Sequence, residues 1–266
     1  MCPTGERFVH GTGGIFSAGR LICHCLLIES HDGLVLVDTG IGLDAIQAPD
    51  KLLGAPFLLM TRPRLDPEET ARRQIERLGY NVDDVRHIVL THLDLDHAGG
   101  IADFPRAAVH VFESEHEAAM APSSPFESHR YQQAMWAHGP NWVRHTVQGE
   151  RWQGFEAVQT IGSDILLVPL HGHSRGHCGV AVQTEKGWLL HAGDAYFAHG
   201  EVHGPTRQTS LGLDLFQRLT EVDSKARLAN QDRLRDLARD AAPSVQIICS
   251  HDHTEFEACR SAATTA

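Results

Sequence analysis

Residues 91–100 read THLDLDHAGG, and they place His92, Asp94, Asp96 and His97 within six positions before two glycines. The run His87-Ile88-Val89-Leu90 just before them is short and apolar, the pattern of a buried strand. Metal-ligand residue types therefore stand where a strand ends and a loop begins. Alternate residues of a strand point to opposite faces, so an irregular turn is needed to aim all four groups at one small volume. The two glycines are expected to let the backbone bend around it. Burying such groups without a partner is costly, and a divalent cation is the natural partner.

The same arrangement recurs along the chain. Residues 21–28 and 33–39 read as strands joined by a turn at Ser30-His31-Asp32-Gly33. The second strand ends in Asp38-Thr39-Gly40, where Asp38 reads as a turn carboxylate or as an acceptor orienting a ligand histidine. Residues 165–170 form a strand that leads into HGHSRGH, residues 171–177. Residues 180–184 and 187–191 form a hairpin ending in Ala192-Gly193-Asp194-Ala195-Tyr196. A last strand, 245–249, ends in Ser250-His251-Asp252-His253. Strand ends thus deliver His92, Asp94, Asp96 and His97, then His173, then Asp194, then His251, which argues for one shared metal site. Residues 108–112 read as a strand, 113–120 as a short helix, and 224–241 as a helix with Leu228, Leu234 and Leu237 on one side. Asp66-Pro67-Glu68-Glu69 reads as a helix start, running to about Leu78 and stopping at Gly79. Residues 122–139 read as irregular helix holding His129, Tyr131, Trp136 and His138. Residues 41–64, with three prolines, read as a long excursion whose Phe57-Leu58-Leu59-Met60 can line a pocket, join the core or pack on a second copy, so a homodimer is an open expectation.

Composition narrows the function classes. The chain has 266 residues and an apolar fraction of 42%, read as one globular domain over 1–266 with a substantial core. A formal charge of -11 argues against a nucleic-acid partner, which needs a basic face. The 19 histidines favour a metal protein. None of the six cysteines falls in a CxxC pair, which argues against a zinc ribbon or a dithiol redox motif. No secretory leader pattern and no membrane-length apolar run is visible, so a cytoplasmic protein is expected, with no membrane partner.

LVDTG, THLDLDHAGG, GHSRGH, AGDAYF and SHDH, in this order, resemble the motifs of the metallo-β-lactamase superfamily. The resemblance covers roughly residues 20–255. IERLGYNVDDVRHIVLTH and the closing SHD are most similar to the N-acyl-homoserine-lactone lactonase group. The resemblance implies an α/β fold, a four-layer αβ/βα sandwich of two mixed sheets flanked by helices, with a binuclear metal site. It implies that His92 and His173 serve the first metal, that Asp96, His97 and His251 serve the second, and that Asp194 bridges them. The implied chemistry is a metal-bridged hydroxide attacking a small ester or lactone, with Asp96 also taking the proton and Tyr196 donating to the oxyanion. His177 and Asp38 are expected to support the ligands rather than bind metal.

One position departs from the pattern. The family motif is HxHxDH, and here Asp94 replaces the second histidine. Asp94 is expected to ligate as a carboxylate. The alternatives are a weak first site with one metal bound, or substitution by His171 or His177. Zinc is the first expectation. A carboxylate moves the preference toward Mn or Fe and raises the pKa of bound water. Thioester hydrolysis of the glyoxalase II kind and iron-dependent oxygen or sulfur chemistry are the alternative reactions. A metal-binding interaction module without turnover is the non-enzyme alternative.

Overall fold

The computed structural model describes residues 1–264. Its chain divides into two compact units. One is the continuous segment Cys25–Thr146, and the other joins Met1–His24 to Val147–Ala266.

The continuous unit holds a five-stranded mixed sheet. Its strands are β1 (Leu26–Ser30), β2 (Gly33–Val37), β3 (Val85–Val89), β4 (Ala108–Phe112) and β5 (Asn141–His145), in the order β1-β2-β3-β4-β5. β1 and β2 form an antiparallel hairpin, and β2, β3, β4 and β5 run parallel. Parallel neighbours require crossover connections, and the segments between these strands supply them as short helices. Leu36, Ile88, Leu90 and Val109 form the core with Ile75, Leu93, Leu95 and Trp136.

The discontinuous unit holds a six-stranded mixed sheet. It comprises β6 (Glu150–Trp152), β7 (Phe155–Ile161), β8 (Ile165–Pro169), β9 (Cys178–Thr184), β10 (Gly187–His191) and β11 (Val245–Ile248), in the order β11-β10-β9-β8-β7-β6. Only β10 and β11 pair in parallel. The helices Leu211–Thr220 and Ser224–Asp240 lie in the connection between them. Asp223 caps the longer helix by accepting from Ala226 N–H, and Leu234 and Leu237 bury its apolar side against Val168, Leu190 and Ile247.

This topology is what positions functional side chains. Because β2 and β3 are parallel neighbours, Asp38 and the 91–100 motif leave the first sheet at the same end. Because β10 and β11 are parallel neighbours, Asp194 and His251 leave the second sheet at the same end. Two mixed sheets flanked by helices are present, as the resemblance implied.

Several elements differ from their sequence reading. The central motif is not all loop: Leu95–Ala98 forms one helical turn, with the His97 and Ala98 amides donating to the Asp94 carbonyl. Leu93 and Leu95 are buried in the core, so the alternate leucines anchor the motif. Gly99 has an ordinary negative φ of -63°. Its need is space, since a Cβ there would meet the Leu95 carbonyl oxygen at 2.3 Å. The helix expected from Asp66 is split. Asp66 caps only the 3-10 turn Pro67–Glu69, and Thr70 starts a new cap for Ala71–Arg77. Residues 21–25 are not part of β1. Ile22 and His24 instead donate backbone hydrogen bonds to the carbonyls of His251 and Ser250. The excursion 41–64 folds into Leu43–Gln47, Pro49–Leu52 and Gly54–Thr61. Phe57 and Leu58 join the core, while Leu59 and Met60 are exposed. β5, β6 and β7, and the helices Glu6–His10, Leu211–Thr220 and His253–Thr264, had no counterpart in the sequence reading. Among the described residues, no helix is long and apolar enough to cross a membrane.

A buried carboxylate links the excursion to this unit. Asp103 accepts from Leu43 N–H at 3.1 Å, and burial raises its pKa to about 6. A folded-state pKa above the unfolded value means stability is lost as pH rises through about 6. Asp103→Asn keeps the acceptor and removes the titration. Urea unfolding is expected to show the variant gaining on the wild type by roughly 1 kcal/mol between pH 5 and pH 8. A pH-independent difference is the contrary result.

Candidate metal centre

In the continuous unit, Asp38 organises the ligand-type residues. It sits just past β2 with φ of 53° and is buried. Its Oδ1 accepts from Thr91 N–H at 2.8 Å, and its Oδ2 accepts from the Thr91 hydroxyl at 2.8 Å and from His97 Nδ1 at 2.9 Å. Because the Thr91 hydroxyl gives its proton to Asp38, it is an acceptor toward His92 Nδ1 at 3.0 Å. One carboxylate thus sets two imidazoles, one directly and one through a hydroxyl. Both rings carry hydrogen on Nδ1 and the lone pair on Nε2. The two rings lie 4.0 Å apart between centroids. His92 Nε2 is 3.3 Å from Asp94 Oδ2, and His97 Nε2 is 3.8 Å from Asp96 Oδ2. The structure therefore brings His92, Asp94, Asp96 and His97 together.

Asp94 has a partner that the sequence reading did not find. Arg130, at the end of the helix Pro125–Arg130, donates from Nε to Asp94 Oδ1 at 2.5 Å and from an Nη to Oδ2 at 2.8 Å. This is the two-pronged pairing that a guanidinium offers a carboxylate. Burial works against the charged guanidinium, but Asp94 outweighs it and raises the Arg130 pKa. The motif is braced again at Leu93, whose N–H donates to buried Glu115 at 3.0 Å, and Tyr131 Oη donates to the same oxygen at 3.1 Å. Of the other residues named in that polar stretch, Trp136 is in the core, and His129 is exposed and bonded to the Pro125 carbonyl. Nothing in local periodicity distinguishes Arg130 from a solvated helix-end arginine.

In the discontinuous unit, Asp194 lies between two imidazoles. His251 Nε2 is 3.1 Å from its Oδ1, and His173 Nε2 is 3.5 Å from its Oδ2. His251 Nδ1 donates to the Ile22 carbonyl at 2.6 Å, which again turns Nε2 toward the carboxylate. Phe197 stacks on the His251 ring at 4.8 Å. His177 has a different job. Its Nδ1 donates to the Leu170 carbonyl and its Nε2 accepts from Asp194 N–H, both at 2.9 Å. Both of its nitrogens are thereby committed to backbone, so it ties the end of β8 to the end of β10 and is unsuited to replace a metal ligand.

Tyr196 is fully buried, and its hydroxyl donates to Glu255 at 3.0 and 3.1 Å. Burial followed by the Glu255 charge holds its pKa well above the usual phenol value. The oxyanion role expected of it does not go with that placement; the hydroxyl serves to link β10 to the helix His253–Thr264.

Each unit thus holds buried imidazoles with Nδ1 engaged by an acceptor and Nε2 facing carboxylate oxygen. That is the donor chemistry of a site for a divalent cation, including the outer acceptors that orient histidine ligands.

The Arg130–Asp94 pair is expected to be structural as well. Arg130→Met leaves a mostly buried carboxylate without its counter-charge and is expected to cost about 3 kcal/mol in urea unfolding. In a double-mutant cycle with Asp94→Asn, a coupling above about 1 kcal/mol is expected, and additivity is the contrary result.

The model of the Metallo-beta-lactamase superfamily matches residues 18–237. A probable metallo-hydrolase of Mycobacterium tuberculosis is 43% identical over 246 residues, covering 91% of this chain and 78% of that protein. An N-acyl homoserine lactonase of Bacillus thuringiensis is 30% identical over 206 residues, covering 76% of each. Among solved structures, an N-acyl homoserine lactone hydrolase with the product N-hexanoyl-L-homoserine bound at its catalytic metal centre is similar with a TM-score of 0.70. Its identity is 22%, and the match covers 97% of this chain and 92% of that one. AidC, a dizinc quorum-quenching lactonase, is similar with a TM-score of 0.62 at 15% identity, covering 95% and 84%. At these identities the structural likeness is one of fold.

Proposed function

The chain belongs to the metallo-beta-lactamase superfamily, and on that premise we propose that it is a metal-dependent hydrolase that opens a small ester or lactone. The observation that carries this reading is the set of oriented imidazoles: His92, His97 and His251 each give Nδ1 to an acceptor and keep Nε2 for a metal. The lactonase relative of Bacillus thuringiensis supports the substrate class.

We propose that the ligand-type residues, His92, Asp94, Asp96 and His97 in the continuous unit and His173, Asp194 and His251 in the discontinuous one, would hold a pair of divalent ions, with zinc as the first choice. When bound, such a pair supplies a water activated near neutral pH and polarises the substrate carbonyl. The chain's own residues do the rest. Asp38 keeps His92 and His97 in the tautomer that can ligate, directly and through Thr91. Asp96 would accept the proton of the water so activated. His177 and Glu255 hold the backbones that carry Asp194 and His251 in register.

The role of Asp94 follows from charge. A carboxylate in place of a neutral imidazole adds one negative charge to the site. Arg130 cancels it, so the Asp94–Arg130 pair is neutral overall, as a histidine would be. Each Asp94 oxygen gives one lone pair to the guanidinium and retains another. The preference for harder metals that a bare carboxylate brings is thereby reduced, and zinc is favoured.

Elemental analysis of chelator-free protein and a hydrolysis panel test the reading. Asp94→Ala is expected to hold about one metal fewer per chain than wild type. Arg130→Met is expected to raise the share of manganese or iron when the metals compete. Proton release from N-acyl homoserine lactones and simpler lactones is expected with zinc-loaded wild type and at least 100-fold less from Asp194→Ala. If no ester, lactone or thioester turns over with zinc, manganese or iron, the non-catalytic metal-binding module takes its place.

A further inference from the structure

Away from the family's motifs, the discontinuous unit carries a second group of ligand-type side chains. His199 opens the helical turn His199–Val202, and His203 follows it directly. Four residues apart, their rings stack with centroids 4.3 Å apart and planes at 16°. His199 Nδ1 lies 3.0 Å from Glu255 Oε1, and His203 Nε2 lies 3.5 Å from the same oxygen. One ligand atom from each of the three residues lies within 4.8 Å of the other two. Zinc bonds of about 2.0–2.1 Å in tetrahedral geometry put neighbouring ligand atoms roughly 3.3 Å apart. The two measured edges bracket that value.

The group is rigidly built. Glu255 is buried, and its Oε2 accepts from Cys249 N–H at 2.7 Å and from Tyr196 Oη at 3.1 Å. Asp252 Oδ1 accepts from Thr254 N–H and Glu255 N–H, and its Oδ2 accepts from His199 N–H at 2.7 Å. One aspartate therefore pins the backbone of two of the three residues. His199 is half exposed and His203 a quarter exposed, so the imidazole side opens to solvent while the carboxylate side is closed. Such an arrangement has a path of entry and a position for water.

We infer that His199, His203 and Glu255 form a separate site for a divalent first-row cation of the zinc type, with three protein donors and a fourth position open to water. Occupation replaces two hydrogen bonds. His199 Nδ1 exchanges its bond to Glu255 for the metal, and His203 Nε2 exchanges its 3.2 Å contact with the Ile247 carbonyl. Each neutral ring moves its proton to its other nitrogen, His199 to Nε2 and His203 to Nδ1, and any His199 held protonated by its hydrogen bond to Glu255 releases one proton on binding. The site also reaches beyond itself. Glu255 ties Tyr196, two residues after Asp194, to Cys249, two residues before His251. A metal on Glu255 stiffens the ends of β10 and β11 together.

The test uses the full chain stripped with chelator and equilibrated against buffered zinc. Wild type, His199→Gln, His203→Gln and Glu255→Gln are compared, with His31→Gln in the β1–β2 turn as control. Each histidine variant is expected to bind one zinc fewer per chain, and the control is expected to match wild type. Glu255→Gln is expected to weaken this one equivalent by at least tenfold. Nitrogen-15 spectra of wild type are expected to show the His199 and His203 ring nitrogens shifting in step with that equivalent, a readout independent of any variant's folding. Full wild-type stoichiometry in both histidine variants overturns the site. So does zinc binding indifferent to Glu255→Gln, which would mean chelation by two surface histidines alone, or ring nitrogens that do not respond.

Discussion

The buried carboxylate of Asp38 is the constraint on which the arrangement of His92 and His97 in the continuous unit depends. A charge in that position is tolerated only when hydrogen bonds replace its water. It receives three, from Thr91 N–H, the Thr91 hydroxyl and His97 Nδ1. The left-handed backbone at Asp38 is unfavourable for a residue with a side chain, though least so for Asp and Asn. It is retained because it directs the carboxylate across the exit of β3. That placement is possible only because β2 and β3 are parallel neighbours, which puts residue 38 and residue 91 at the same sheet end.

The discontinuous unit solves the same problem with different groups. The strand ends that carry Asp194 and His251 are held by His177, which bonds to backbone with both nitrogens, and by Glu255, which accepts from Tyr196 Oη and Cys249 N–H. In each unit the residues that bear on chemistry stand on short irregular segments. The neighbours that fix them are buried, charged or polar, and fully engaged. Such networks are costly when half satisfied and rigid when complete. Rigidity is what a metal site needs, since ligands must hold their positions to a few tenths of an ångström.

Asp94 illustrates how a single departure from a family motif is absorbed. Taken alone, a carboxylate in place of a histidine alters both charge and ligand hardness. Arg130 makes the local charge even again, through a mostly buried pairing. The reading of Asp94 by itself suggested a shift toward manganese or iron. With Arg130 beside it, the electrostatic part of that argument is largely removed.

From the sequence alone, the strand ends and the residue types they carry were legible. The apolar runs that became β3, β8, β10 and β11 are short and followed within four residues by His or Asp, so local pattern and chemistry coincided. The helix Ser224–Asp240 was legible from its leucine spacing, a local signal: Leu234 and Leu237 are buried, while Leu228, expected on the same side, is exposed. β5 and β7 were not, because Asn141–His145 and Phe155–Ile161 mix polar and apolar residues, and strand pairing rather than composition makes them strands. The partners of the site were decided by tertiary structure alone. Arg130 meets Asp94 across 36 positions, and Tyr196 meets Glu255 across 59. Periodicity reports which face of an element is apolar. It carries no record of which distant charge will be brought opposite, because that depends on the order and direction in which the strands pair.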